Sequence, residues 1–244
     1  MKINFKSVIV ALVLALSANY SNAQVLISLL LGDKLNSDKL EFGLDGGINY
    51  LTMTNTKNAK YMFDWNLGFY FDFKLKEKLF IHTGVLVKSK MGAKNLDMYP
   101  LGNSNLDTLF VGALVERKIN YFNVPGLVRY RPFGYFHVEG GIQAGLRYTG
   151  FDLFTNTVND DELIYKKDVK DNFTRLDFGF VGGVGYKLSK GKGMTLGVKY
   201  YYGVVDVNKA DDGNQYNNAV YINASIAIGK GKAQARAAEK NSNQ

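Results

Sequence analysis

The feature that most constrains this chain is a period-two alternation of apolar and polar residues. In residues 41–51, for example, Phe42 and Ile48 alternate with Asp45 and Asn49. Successive side chains of a strand point to opposite faces, so this pattern predicts a strand with one apolar and one polar face. Eight segments show it, more weakly in the third and fourth: 41–51, 64–75, 79–91, 118–131, 134–149, 175–188, 194–204 and 220–228.

The connections between these segments alternate between short and long. The short ones are 76–78, 131–134 and 189–193, and the long ones are 51–61, 91–117, 150–173 and 207–217. Outer-membrane barrels have short periplasmic turns and longer external loops. We therefore predict an all-β fold: an eight-stranded antiparallel up-and-down transmembrane β-barrel, a meander with both ends in the periplasm.

Composition separates this prediction from a soluble, lipocalin-like barrel, which is apolar inside and polar outside. The chain has 16 Tyr and 16 Phe, residue types that favour strands, and 26 Gly. The bulky aromatics fall on the apolar face, while Gly and charged residues share the other face. Mean hydropathy is slightly negative, as expected when only alternate residues face lipid. The pattern favours the membrane barrel.

The first 23 residues predict a secretory signal peptide. Lys2 and Lys6 form a basic start, and the apolar run 8–16 is too short for a transmembrane helix. Ser21 and Ala23 stand at positions −3 and −1 of a cut after Ala23. The chain has no Cys, so disulfides and thiolate metal sites are excluded.

The rest of the chain divides into three parts. Residues 24–39 form an apolar N-terminal periplasmic segment, either a short helix or simply the approach to the first strand. Residues 40–229 form the barrel. Residues 230–244 form a basic, polar periplasmic tail, which is either solvated or binds an anionic partner.

Charged residues of both signs lie on the polar face of the predicted strands. Strand parity assigns these to a lumen network: Glu41, Asp45, Asp72, Arg129, Glu139, Arg147, Arg175, Asp177 and Lys199, with Lys88 on the same side. An unpaired charge in a narrow interior is costly, so these groups must pair. We expect a closed lumen without a wide pore, in which Arg129, Glu139, Arg147 and Asp177 belong to one network.

No set of residues predicts catalysis. His82 and His137 are the only histidines, and both have inward parity. His82, near Asp72 across a hairpin, is either a base or a polar plug residue. The acidic run 159–162 is either a solvated loop tip or a Ca²⁺ site. We predict no enzyme, no cofactor and no metal site.

Several segments resemble a known family. Residues 118–130, KINYFNVPGLVRY, resemble the Y-x-x-x-P-x-x-x-(K/R)-Y strand of PorT-like outer-membrane β-barrel proteins. Residues 80–92 resemble the preceding strand, and residues 178–186 followed by 196–203 resemble the late hairpin. The resemblance implies an eight-stranded barrel of the porin-family type in a Gram-negative outer membrane. It implies no activity.

Two roles are compatible with these features. The first is a structural or interaction protein that contacts an envelope or extracellular protein through its long loops. The 91–117 loop is the candidate surface, because it carries the apolar residues Tyr99, Leu101, Leu106, Leu109, Phe110 and Val111. The alternative is a narrow channel for small solutes or ions, and a lipid-acting enzyme is a third class. We expect contact with outer-membrane lipid, a monomer, and no nucleic acid.

Overall fold

The computed structural model describes residues 36–37, 39–158, 160–191, 193–209 and 213–228. The predicted signal peptide, the C-terminal tail and nearly all of the 24–39 segment lie outside the described residues. The elements are β1 (Leu40–Met53), β2 (Met62–Lys76), β3 (Leu79–Leu96), α1 (Ser104–Leu109), β4 (Leu114–Tyr130), β5 (Phe136–Val158), β6 (Asp161–Asp168), β7 (Leu176–Lys187), α2 (Leu188–Gly191), β8 (Thr195–Gly203) and β9 (Asn217–Ala227), with a 3-10 turn at Lys170–Asn172.

Eight of the nine strands close a ring. In the ring, each of β1 to β4 pairs with the strand that follows it. β5 then pairs with β7, β7 with β8, β8 with β9, and β9 with β1, all antiparallel. The ring therefore leaves no free edge, as a spanning sheet in lipid requires, because lipid cannot hydrogen-bond an open edge. The predicted eight-stranded up-and-down barrel is confirmed.

The strand outside the ring, β6, was not predicted. β5 runs to Val158, and its outer half pairs with β6 from Phe151↔Asp168 to Val158↔Asp161. On the same side of β5, β7 pairs with the inner half of that strand, so β6 lies beyond the end of β7 towards the long connections. The apolar alternation predicted a fifth strand ending at 149 and a loop over 150–173, because this hairpin lacks the strong alternation of the lipid-facing strands.

The two ends of the barrel differ. Residues 77–78, 131–135 and 188–194 make short turns at one end, here called the inner end. The long connections lie at the other, outer end, where residues 97–113 contain α1. The Asn103 side chain caps α1 by accepting hydrogen bonds from the backbone of Asn105 and Leu106. Among the described residues, no helix is long and apolar enough to span a bilayer.

The outward face of the ring is an exposed apolar surface. Ile48, Phe180, Val198 and Ile222 are all exposed there. Exposed aromatic residues lie near both ends of the strands; at the outer end they are Tyr50, Phe63, Trp65, Tyr148, Tyr200 and Tyr202, and at the inner end Phe73, Tyr130, Phe133, Tyr135 and Tyr186. This is the arrangement of an apolar band flanked by two aromatic girdles.

Candidate functional site

The inner half of the lumen holds a charged layer, which we define as Asp45, Asp72, His82, Arg129, Glu139 and Lys199. Arg129 is its centre and is only 2% exposed. Its Nη1 lies 2.6 Å from Asp72 Oδ2, and its Nε donates to Glu139 Oε2 at 2.8 Å. Arg129 and Glu139 are direct register partners on β4 and β5, so strand pairing brings the two charges together.

The other members complete the layer. The Lys199 ammonium lies 3.7 Å from a carboxylate oxygen of Asp45 and 3.7 Å from one of Glu139. His82 Nδ1 lies 2.6 Å from Asp72 Oδ1. Since Asp72 also binds Arg129, the His82–Asp72 pair is part of a filled ion network. No hydroxyl nucleophile of the described residues is hydrogen-bonded to this histidine.

Two further groups close the inner half. At the inner end, Lys187 Nζ donates to both oxygens of Glu41, at 2.6 and 2.7 Å. Above the charged layer, a small cavity is lined in part by Asn66, Gln143 and Tyr221. It has room for about one water molecule.

A second, separate polar layer lies nearer the outer end. We define it as Tyr121, Arg147, Asp177, Tyr201 and Asn217, all buried. Asn217 Nδ2 donates to Asp177 Oδ2 at 2.9 Å. Arg147 Nε donates to the backbone carbonyl of Thr174, in the connection between β6 and β7, at 3.1 Å and forms no ion pair with the described residues.

The structure thus divides the four residues expected in one network. Arg129 and Glu139 belong to the charged layer, whereas Arg147 and Asp177 belong to the polar layer. Glu139 and Arg147 are eight residues apart on β5, or roughly 26 Å at about 3.3 Å per residue. Parity places them on one face, but this separation is too great for any side chain to bridge.

Two expected lumen residues lie elsewhere. Arg175 precedes β7, is exposed, and makes no ion pair among the described residues. Lys88 lies on the outer surface, with Nζ 3.4 Å from the centroid of the Trp65 ring. The cause is a β-bulge, since Leu67 pairs with Lys88 while the next residue, Gly68, pairs with Leu86. The extra residue reverses the parity of β3 beyond it.

A cluster of buried apolar residues, which we call the apolar cap, lies above the polar layer. Its buried members include Leu51, Met53, Met62, Met91, Ala93, Leu96, Phe110, Ala113, Val115, Ile119, Phe154, Val169, Phe173 and Val207. They come from the outer ends of the strands and from three of the long connections. The cap is a packed hydrophobic core, and such cores have few voids larger than a water molecule.

The 91–117 loop contributes to this cap rather than extending away from it. Phe110 is 4% exposed, with its ring 6.4 Å from that of Phe154, and the Tyr99 ring lies 5.2 Å from Phe154. Leu106 packs against the same core, and only Leu109 is exposed. The apolar composition that suggested a partner surface is therefore explained mainly by packing.

A buried carboxylate anchors the same loop. Asp152 accepts hydrogen bonds from Arg117 Nε and Nη2, at 2.9 and 2.7 Å, and from the Tyr99 hydroxyl at 2.8 Å. Burial and the neighbouring Asp152 charge raise the pKa of Tyr99 above its ordinary value. The loop is thus tied to β4 and β5 by a charge-assisted network.

A small exposed apolar surface remains at the outer end. We define this tip patch as Leu109, Val111, Leu114 and Ile164, which are 43–70% exposed. Leu114 pairs with Thr155, and Thr155 with Ile164, so the two apolar side chains flank one position of β5. Loop composition predicted Leu109 and Val111 of this patch. Ile164 was missed with β6, although the short apolar run 163–165 was a weak signal of a strand.

Metal binding finds no support in the described part of the chain. No group of three or more His, Cys, Asp or Glu side chains is placed to hold an ion there. The acidic residues 160–162 at the β5–β6 tip are not such a group, and residue 159 lies outside the described residues.

A closed antiparallel ring of eight strands, with an apolar outer band between two aromatic girdles, defines the class of small outer-membrane β-barrels. The family model described as "Outer membrane protein beta-barrel domain" matches residues 22–209, and the chain belongs to that family. The protein is therefore located in the outer membrane. No curated protein matches the chain.

Solved structures of small outer-membrane barrels are similar to the chain at low identity. Ail, the attachment invasion locus protein of Yersinia pestis, is 11% identical with a TM-score of 0.43, covering 79% of this chain and 100% of its own. Neisserial surface protein A is 8% identical with a TM-score of 0.42, covering 77% and 97%. OprG from Pseudomonas aeruginosa is 14% identical with a TM-score of 0.33, covering 78% and 93%. At these values no role transfers to this chain.

Proposed function

We propose that this protein is a closed outer-membrane barrel that anchors an extracellular interaction surface and does not conduct solutes. The observation that carries the proposal is that the charged layer, the polar layer and the apolar cap follow one another along the barrel axis. A path for ions would have to break buried ion pairs and a packed apolar core. Both are costly, which argues against the narrow-channel alternative.

The interaction surface of this proposal is the tip patch. Contiguous exposed apolar side chains on a soluble face are a feature of protein contact sites. Acidic residues 160–162 border it at the β5–β6 tip. The protein acts as a monomer in this proposal, because ring closure uses the edges of all eight barrel strands. It has no catalytic activity, since the described His82 is held within the charged layer.

We also propose that the chain is related to the PorT-like proteins that its strand segments resemble. Those proteins are outer-membrane barrels, mostly without an assigned activity, so the kinship is compatible with an anchor role. It adds no residue with a specific task.

Planar-bilayer recording tests the closed lumen. Purified protein inserted into a bilayer should give no steady conductance above the lipid background. The Lys199→Ala variant, which removes a charge from the lumen, should be equally silent. Reproducible conductance that changes in this variant would show that ions pass the charged layer, and the channel would then replace the anchor.

Surface labelling tests the orientation of the proposed interaction surface. The chain has no Cys, so single cysteines can be introduced cleanly. Val111→Cys should react with a membrane-impermeant maleimide on intact cells. Glu77→Cys, in the β2–β3 turn, should react only after the outer membrane is permeabilised. The reverse pattern would place the tip patch in the periplasm and contradict the proposal.

A further inference from the structure

Two facing columns of side chains lie on the outer surface near the outer ends of β2 and β3. We define this basic-aromatic face as Tyr61, Phe63 and Trp65 from one column, and Lys88, Lys90 and Lys94 from the other. The three aromatic side chains are all exposed, and Tyr50 of β1 stacks on Tyr61 with ring centroids 5.0 Å apart. The face therefore places a column of aromatic rings beside a column of ammonium groups.

The β-bulge on β3 creates this face. Leu86 and Ser89 both point inward and are buried, so the two residues between them lie on the outer side. Without the extra residue, Lys88 would point into the lumen. Bulges often re-aim a side chain in this way. Here the bulge places the Lys88 ammonium 3.4 Å from the centroid of the exposed Trp65 ring, on the surface that faces lipid.

The charges on the face are only partly neutralised. Lys90 Nζ pairs with Asp64 at 2.6 Å. Lys88 and Lys94 have no carboxylate within 4.0 Å among the described residues. Lys60 and Lys94 exchange backbone hydrogen bonds at 2.8 and 3.1 Å, which sets two exposed lysines side by side. Like charges at opposed positions repel, so a bound anion would relieve this arrangement.

The height of the face on the barrel indicates which part of the membrane supplies the anion. Phe73 at the inner girdle and Phe63 are ten residues apart on β2. That is about 33 Å along the strand, at about 3.3 Å per residue. It is about 25 Å along the axis at a tilt of about 40°, the height of the apolar band of such barrels. Phe63 therefore marks the outer edge of the apolar band. Lys94 pairs with Lys60, beyond that edge, whereas Lys88 pairs with Leu67 inside it and reaches the Trp65 ring with its ammonium group. The two ammonium groups thus lie at and just beyond the boundary between the acyl chains and the headgroups of the outer leaflet.

We propose that the basic-aromatic face binds the phosphorylated headgroup of an outer-leaflet glycolipid of the lipid A type. Lys88 and Lys94 contact its phosphates, and the acyl chains pack on the lipid-facing residues below, such as the paired Phe69 and Val85. Lys90, already paired with Asp64, contributes less. The site depends only on the membrane location of the chain and not on whether the lumen conducts.

The experiment uses Trp65 as its own reporter. Trp65 is the single tryptophan of the chain, so its fluorescence reads the site directly. The refolded full chain in dodecyl maltoside micelles is titrated with bisphosphorylated lipid A. Parallel titrations use dephosphorylated lipid A, phosphatidylglycerol and inorganic phosphate. The variants are Lys88→Gln, Lys94→Gln and, as matched control, Lys76→Gln at the opposite end of β2.

Bisphosphorylated lipid A should give a saturable change in Trp65 fluorescence, weakened by added salt. Lys88→Gln and Lys94→Gln should each lower the apparent affinity about fivefold, the usual contribution of one basic residue near an anionic surface. Lys76→Gln should leave the affinity unchanged, and the other titrants should bind at least several-fold more weakly.

Three results would overturn the proposal. Equal affinity for dephosphorylated lipid A would remove the phosphate from the recognition. An equal response to inorganic phosphate or phosphatidylglycerol would mean that the face binds any phosphate. Unchanged affinity in both Lys88→Gln and Lys94→Gln would show that these lysines do not form the site. Heat-modified migration on gels confirms that each variant is folded before titration.

Discussion

Removing the Arg129 guanidinium should destabilise the barrel more than any other single charge change in the lumen. The side chain binds two carboxylates at once, Asp72 at 2.6 Å and Glu139 at 2.8 Å, with all three groups almost fully buried. Arg129→Met keeps most of the side-chain volume and removes both charge-assisted hydrogen bonds. The change therefore isolates the electrostatic contribution from packing.

The size of the destabilisation depends on the ionic contacts that Asp72 and Glu139 keep after the substitution. Asp72 keeps His82 at 2.6 Å and Arg131 at 3.9 Å. Glu139 keeps only longer contacts among the described residues, to His137 at 3.8 Å and to Lys199 at 3.7 Å. Lys199 is already shared with Asp45 at the same distance, so one ammonium group would face two carboxylates. Breaking a buried ion pair by removing one partner costs about 3–5 kcal/mol, and we expect a loss of that size in the free energy of unfolding.

Urea unfolding in detergent micelles measures this loss, followed by Trp65 fluorescence and by electrophoretic mobility. Arg175→Met is the matched control, because Arg175 is exposed and unpaired among the described residues; its effect should stay within about 0.5 kcal/mol. Adding Glu139→Gln to Arg129→Met neutralises the stranded carboxylate and should recover at least about 1 kcal/mol. A loss below about 1 kcal/mol for Arg129→Met would contradict a dry, ion-paired interior, since it would mean that water screens the charged layer.

Three further predictions concern packing and the outer end. Gly179→Ala should impair folding, because its Cβ would lie 2.7 Å from a lumen tyrosine ring, whereas Gly182→Ala on the same strand meets nothing within 4 Å and should be tolerated; yields of heat-modifiable protein compare them. Phe110→Ala should lower the free energy of unfolding, measured by urea titration, by about 3–5 kcal/mol, because the Phe110 side chain is buried in the cap. Val111→Ala should lower it by less than about 0.5 kcal/mol, because Val111 is 70% exposed. Asp152→Asn weakens the anchor of the 97–113 loop, so limited proteolysis should cut that loop faster than in the parent protein; equal rates would show that apolar packing alone holds it.

The ring itself could be read from the sequence. Period-two alternation identified every one of the eight barrel strands, and the alternation of short and long connections identified the meander. The reason is that lipid imposes a strong, local demand: most residues that face the apolar band must be apolar, whatever their neighbours across the sheet are. A pattern dictated by the surroundings of each residue is visible without knowledge of the pairing.

The interior could be read only in part. Inward parity correctly selected Arg129 and Glu139, but it could not show that Arg147 lies in a different layer, because parity defines a face and not a height. Lys88 was assigned to the wrong face, because one additional residue in β3 reverses every side chain beyond it. A bulge of this kind leaves no clear mark in the sequence.

The 97–113 loop shows the same limit at the outer end. Its apolar residues could have formed a partner surface or a core, and composition is the same in both cases. Phe110 was buried by contacts with Phe154 and Tyr165, which lie more than 40 positions away in the chain. The order of residues along the chain was thus enough to specify which side chains face lipid. Register and long-range packing settled which polar groups meet and which apolar residues remain exposed, because those outcomes depend on partners brought together only when the barrel closes.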